Sequence, residues 1–267
     1  MNQHEPAPQP ANLFPFADRV NKVSVEDTFK WLAAGWRDFR ASGLTSLTYG
    51  LFFVLAGIVL TVGLYRAGYE YLIAPMIEGF LLVGPALTVG LYAISRALED
   101  GRKPHLGMAF TAWRANPVHL LALGLALVLF LFIWMRLAVM IFALSFPYVP
   151  LTLKDMVNAA LFSLDGWVFL GIGTVVGCVM ASLAFAMGAM ALPMMLDRKV
   201  DFLQAVGTSF AAVVINARVM AVWAALVVVF TAAGLVSLYI GLAVTLPLIG
   251  HASWHAYKAV IKPPANP

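Results

Sequence analysis

Long apolar runs broken by short polar junctions dominate this chain. About 20 apolar residues cross a bilayer. Four runs have that size: residues 43–65, 75–98, 118–146 (interrupted only by Arg136) and 167–196. A fifth apolar region covers residues 219–260 and is too long for one helix, even a tilted one. It divides into two spans, about 217–235 and 237–259, with a tight turn near Gly234 to Ser237. The pattern predicts an all-α integral membrane bundle of six transmembrane helices forming a single domain, residues 24–262. Residues 1–23 are proline-rich and polar, and are expected to be a disordered tail.

A second pattern precedes each odd-numbered span. "SVEDTFKWLAAGWRDFR" places Val25, Phe29, Leu32, Trp36 and Phe39 at helical spacing, with Ser24 and Asp27 set for an N-terminal capping box. "LGMAFTAWRANP" puts Leu106, Ala109, Phe110 and Trp113 on one face. "DFLQAVGTSFAAVVINA" does the same with Leu203, Val206, Phe210 and Val213. The segments "WRANPVH" and "VINARVM" each bring an Asn just before the next span. The chain therefore reads as three helical-hairpin repeats, each preceded by an interfacial helix.

Composition agrees with the pattern. The 267 residues are 62% hydrophobic and only 11% charged, with a mean hydropathy of +0.87. A soluble domain is roughly half apolar and about a quarter charged. The single Cys178 allows no intrachain disulfide. The net charge of +4 is small, and no dense basic block suggests nucleic acid. Charge placement is more informative. With six spans, all 17 Lys and Arg residues except Arg66, Lys154 and Arg136 fall on one side. By the positive-inside tendency that side is cytoplasmic and holds both termini.

Few residues carry candidate chemistry. Arg136 is a charge inside a span, which is costly and calls for a partner. Glu78, at similar depth in the second span, is the expected one, as an intramembrane charge pair. Gly173, Gly177 and Ala181 recur every four residues in the fourth span, a small-residue seam expected to pack within the bundle. "PLIGHASWHAY" sets His251 and His255 one turn apart, with His119 as the third ligand a metal would need. The stronger expectation for the pair is a polar helix end at the membrane surface. No phosphate-binding, zinc-protease or serine-hydrolase motif is present. The chain is expected not to be an enzyme and to need no cofactor.

The blocks "GWRDFRASGLTSLTYGLFF", "GFLLVGPALTVGLYAISRALEDGRKP", "AWRANP", "WMRLAVMIFAL", "LPMMLDRKVD" and "PLIGHASWHAYK" resemble a proteobacterial domain-of-unknown-function family of predicted multi-spanning inner-membrane proteins. The resemblance implies a bacterial inner membrane and no established activity. Members are sometimes labelled similar to cytochrome c oxidase subunit I. With five histidines in total, this chain cannot be a haem-copper catalytic subunit. The leading expectation is a non-enzymatic support or assembly component of the membrane or a membrane complex. Two alternatives are a small permease with a cavity among the Pro-kinked helices, and a haem- or metal-binding accessory subunit of a respiratory complex. Expected partners are membrane lipids, and a membrane protein or a second copy of the chain.

Overall fold

The computed structural model describes residues 16–148 and 152–263. Of the tail predicted over residues 1–23, residues 1–15 lie outside the described residues. Twelve helices follow in order. They are α1 (Val25–Ser42), α2 (Leu44–Arg66), α3 (Ile73–Leu87), α4 (Val89–Glu99), α5 (Leu106–Thr111), α6 (Pro117–Ser145), α7 (Leu153–Phe162), α8 (Leu164–Gly188), α9 (Ala191–Asp197), α10 (Phe202–Ile215), α11 (Ala217–Val236) and α12 (Leu242–Val260). The chain is an all-α integral membrane protein.

The predicted second span is two helices, α3 and α4, which meet at Thr88 just after Pro85. The fourth is likewise α8 and α9, which part at Ala189 and Met190, before Pro193. Proline lacks the N–H that would continue the ladder, so each helix pair bends near it.

Residues 16–23 and 260–263 lie together on one face of the bundle, here the terminal face. Residues 16–23 of the predicted tail are ordered there. Val20 is buried and pairs antiparallel with Ile261, and the Asn21 N–H donates to the Val260 carbonyl at 2.8 Å. At the opposite, distal face, α11 turns back through Ser237–Gly241. Leu238 and Tyr239 both take positive φ there, at 55° and 68°. The turn falls a few residues beyond the predicted one, because α11 continues to Val236.

Among the described residues, five helical stretches are long and apolar enough to cross a membrane: Leu44–Arg66, Glu70–Glu99, Pro117–Ser145, Leu164–Asp197 and Ala217–Val236. The predicted sixth span, α12, is a different kind of helix. It runs the full way from the distal turn to the terminal face, but it is less apolar and carries His251, Ser253, His255 and Lys258. It is also mostly buried, packed against α1, α2, α4 and α11. A helix screened from lipid by its neighbours needs no apolar surface of its own.

The backbones close on α12 at two glycines. A Cβ on Gly35 of α1 would lie 2.6 Å from the Ala252 nitrogen, and one on Gly50 of α2 would lie 2.5 Å from the Ala243 carbonyl oxygen. α2 is antiparallel to α12, since Ser46 meets His251, Gly50 meets Ala243 and Thr61 meets Tyr239.

Only part of the apolar face of α1 packs against the core, through Val25 and Leu32. The buried side of the helix is Thr28, Trp31, Ala34, Gly35 and Ser42, while Phe29 is 58% and Trp36 43% exposed. α10 behaves alike, burying Ala205, Thr208, Ser209 and Ala212 and leaving Leu203 exposed. Small and hydroxyl residues allow close approach to the bundle, and the large apolar residues are left for the membrane interface. The capping box at the start of α1 forms, with Asp27 Oδ2 accepting from the Ser24 N–H at 2.9 Å.

These contacts give a direct test. Gly50→Leu forces a side chain into the α12 backbone and is expected to cost at least about 3 kcal/mol. In detergent this reads as a melting temperature lower by on the order of 10 °C, or as loss of monodisperse protein. Gly63→Leu, where a Cβ meets nothing within 4 Å, is expected to melt like the wild type.

Candidate functional site

The terminal half of α12 carries His251 and His255 one turn apart, and α1 brings Asp38 and Ser42 at the same spacing. These pairs meet Ser46 of α2 and Ser95 of α4. Ser95 donates its hydroxyl proton to Asp38 Oδ2 at 2.6 Å. His255 Nε2 lies 2.9 Å from the same oxygen. An ionised carboxylate only accepts, so His255 Nε2 carries a hydrogen. Ser95 has spent its one proton and can only accept from His251 Nδ1, 2.8 Å away. With Nδ1 as donor, a neutral imidazole presents Nε2 as acceptor, and Ser46 donates to it at 2.8 Å. Ser42 Oγ, 2.6 Å from Ser46 Oγ, completes the chain.

The acceptor-only character of Asp38 thus sets the direction of every hydrogen bond in a row of six residues. Burial opposes the charge on Asp38, but hydrogen bonds from His255 and Ser95 outweigh it and hold its carboxyl below its ordinary value of 3.8. A second knot lies beside this row. Asp197 at the end of α9 accepts from Tyr257 at 2.8 Å and faces Arg96 at 3.7 Å. Arg96 also donates to the Leu196 carbonyl at 2.8 Å. The ends of α4, α9 and α12 are joined there.

The distal half holds the other feature, a cavity of about 490 Å³ between α3, α6, α7 and α8. From α3 come Pro75, Glu78 and Leu82, and from α6 come Trp134, Ala138 and Phe142. Gly173, Gly177 and Ala181 form the α8 side. Glu70 and Tyr71 sit at its α3 end. Trp134 is buried, and its indole N–H donates to the Pro75 carbonyl at 3.0 Å, which fixes the ring.

Several sequence expectations need correction here. Arg136 and Glu78 form no ion pair among the described residues. Trp134, Ala138 and Phe142 define the cavity face of α6, and Arg136 stands roughly 200° around the helix from Trp134. Arg136 is exposed on the outside, free to extend toward the interface, whereas Glu78 opens into the cavity. The small-residue seam does not close against a helix along its length. A Cβ on Gly177 would touch the Trp134 ring at 3.1 Å, but one on Gly173 would meet nothing within 4 Å. The stripe makes room for the cavity.

The three histidines do not converge. His119 Nδ1 accepts from the Phe202 N–H at 3.2 Å, at the start of α10. Both ring nitrogens of His251 are taken by serines. Among the described residues no group of three or more His, Cys, Asp or Glu could hold a metal ion. The junction asparagines act as cross-links. Asn116 donates to the Val200 carbonyl at 2.8 Å. Asn216 donates to the Asn21 carbonyl at 2.9 Å and accepts from the Val23 N–H at 3.0 Å.

Sequence reasoning missed Asp38, Ser42, Ser46 and Ser95. The available signal was the shared four-residue spacing of Asp38 and Ser42 with His251 and His255. Replacing Asp38 by Ala strands the His255 N–H and the Ser95 hydroxyl, and is expected to cost about 1–3 kcal/mol. Asp38→Asn supplies the pH test. A carboxyl whose folded pKa is depressed adds stability above its unfolded value and loses it as pH falls through the folded value. The stability gap between wild type and Asp38→Asn should therefore be full near neutral pH and shrink below 3.8. Denaturation followed at stepped pH measures it.

No curated protein and no solved structure matches the chain. The segment from the end of the Glu70–Leu72 turn to the end of α9 contains α3, α6, α7 and α8, and so most of the cavity wall. Of the polar row it holds only Ser95. That segment, residues 72–197, matches the model of a family described as a predicted integral membrane protein (DUF2189).

Proposed function

We propose that the chain is a non-enzymatic membrane component that acts by holding an apolar-tailed ligand in the distal cavity, in support of the membrane or of a membrane complex. The cavity itself carries this reading. Its volume of about 490 Å³ is in the usual range of ligand sites, and its wall is apolar apart from a few groups. The polar row around Asp38 argues against catalysis, because its donors and acceptors are consumed by one another and His251 is fully buried. The segment that matches the family model is also the one that builds the cavity.

The terminal face is assigned to the cytoplasm of a bacterial inner membrane. The placement of all Lys and Arg other than Arg66, Lys154 and Arg136 supports this side, and the family resemblance supports the compartment. The α12 helix is then a sixth, shielded crossing.

One observation favours the permease reading as second. A smaller void of about 60 Å³ shares Leu81 with the cavity and is lined by Thr88, Tyr92, Thr231 and Ser253.

Native mass spectrometry of protein extracted with its surrounding lipid is the test. Wild type should retain an amphiphile, and Gly173→Phe, where a Cβ meets nothing within 4 Å, should lose it while staying folded. Equal retention by both proteins would remove the reading.

A further inference from the structure

We propose that the cavity between α3, α6 and α8 takes an amphiphile with a cationic head, an ammonium group carried on an apolar tail. The inference rests on the binding reading above and adds the chemistry of the head.

Two carboxylates line the cavity on one side: Glu70, half-buried in the turn before α3, and Glu78 on α3, itself exposed. Neither makes an ion pair among the described residues, where every recorded bridge involves other groups. The cation nearest to Glu78 in membrane depth, Arg136, projects from the opposite face of α6. An unpaired carboxylate in an apolar wall is costly, and an entering cation removes that cost. An anionic head would be repelled, and a neutral one would leave the carboxylates as they are.

The aromatic groups suit the same guest. Trp134, Phe142 and Phe169 present rings to the space, with Tyr71 beside Glu70. The Trp134 ring is held in place through Pro75, on the same helix as Glu78. Ring faces attract ammonium groups and have no such preference for anions. The bare cleft at Gly173 leaves room for a tail along α8. Such a head can belong to an ethanolamine lipid or to a free lipophilic amine.

The full chain in nanodiscs of phosphatidylglycerol tests this, with three probes that share one tail: dodecyltrimethylammonium, dodecyl sulfate and dodecyl maltoside. Protein-free discs correct for partition into lipid. Saturable binding of the ammonium probe is expected, weakened about tenfold or more in Glu78→Gln, unchanged in Arg136→Gln and absent for the sulfate. Equal melting temperatures of Glu78→Gln and wild type separate lost binding from lost fold. Adding phosphatidylethanolamine then assigns the source: competition with the probe points to the lipid, and its absence to a free amine. Equal binding of the ammonium probe to wild type and Glu78→Gln overturns the proposal. Equal binding of all three probes to wild type also overturns it, but leaves the cavity reading standing. Binding of none removes both.

Discussion

An acceptor that cannot donate organises the terminal half of this protein. Because ionised Asp38 offers only lone pairs, Ser95 and His255 must point their hydrogens at it, and His251, Ser46 and Ser42 follow in turn. Four helices contribute to the row: α1, α2, α4 and α12. A buried polar network is worth having only when every member is satisfied, and here one fixed charge satisfies them in sequence. The network explains how α12 can lie in the middle of a membrane bundle with two histidines in its last three turns.

The glycine contacts and the polar row depend on each other. Gly35 and Gly50 bring α1 and α2 within backbone distance of α12, and only at that separation do short serine side chains reach His251. The hydrogen bonds in turn set how far along α12 each helix sits. The asparagine cross-links at Asn116 and Asn216 and the knot at Asp197 repeat the principle elsewhere on the terminal face. Polar side chains there join main-chain ends of different helices, so the face is firm. The distal half has few such links and contains the larger cavity.

Apolar run length was enough to read the all-helical membrane class from the sequence, since a bilayer leaves few other choices. What the sequence did not reveal follows from pairing across the fold. The buried side of α1 joins Trp31 to Thr28, Ala34, Gly35 and Ser42, small and hydroxyl positions that a hydrophobicity pattern does not single out. Arg136 and Glu78 share a depth but not a direction, and depth is all that a span count supplies. His251 and His255 looked like a ligand pair because Asp38 and Ser95 lie far away in the chain. The small residues of α8 were legible as a stripe, but whether a stripe meets a helix or a space depends on Trp134 and its neighbours on α6.

The outer wall of the cavity has a mechanical consequence. Of α8, only Gly166, Ala184, Ala186 and Gly188 are buried in the bundle, so one side of the helix along most of its length is left to lipid. Protein contact between α6 and α8 gathers at the Phe142–Phe169 pair and at Gly177 against Trp134, and between them lies the cavity. Stretching or thinning the bilayer works directly on that gap. A guest bound there, as proposed, would be held partly by the membrane, and its residence would answer to membrane tension.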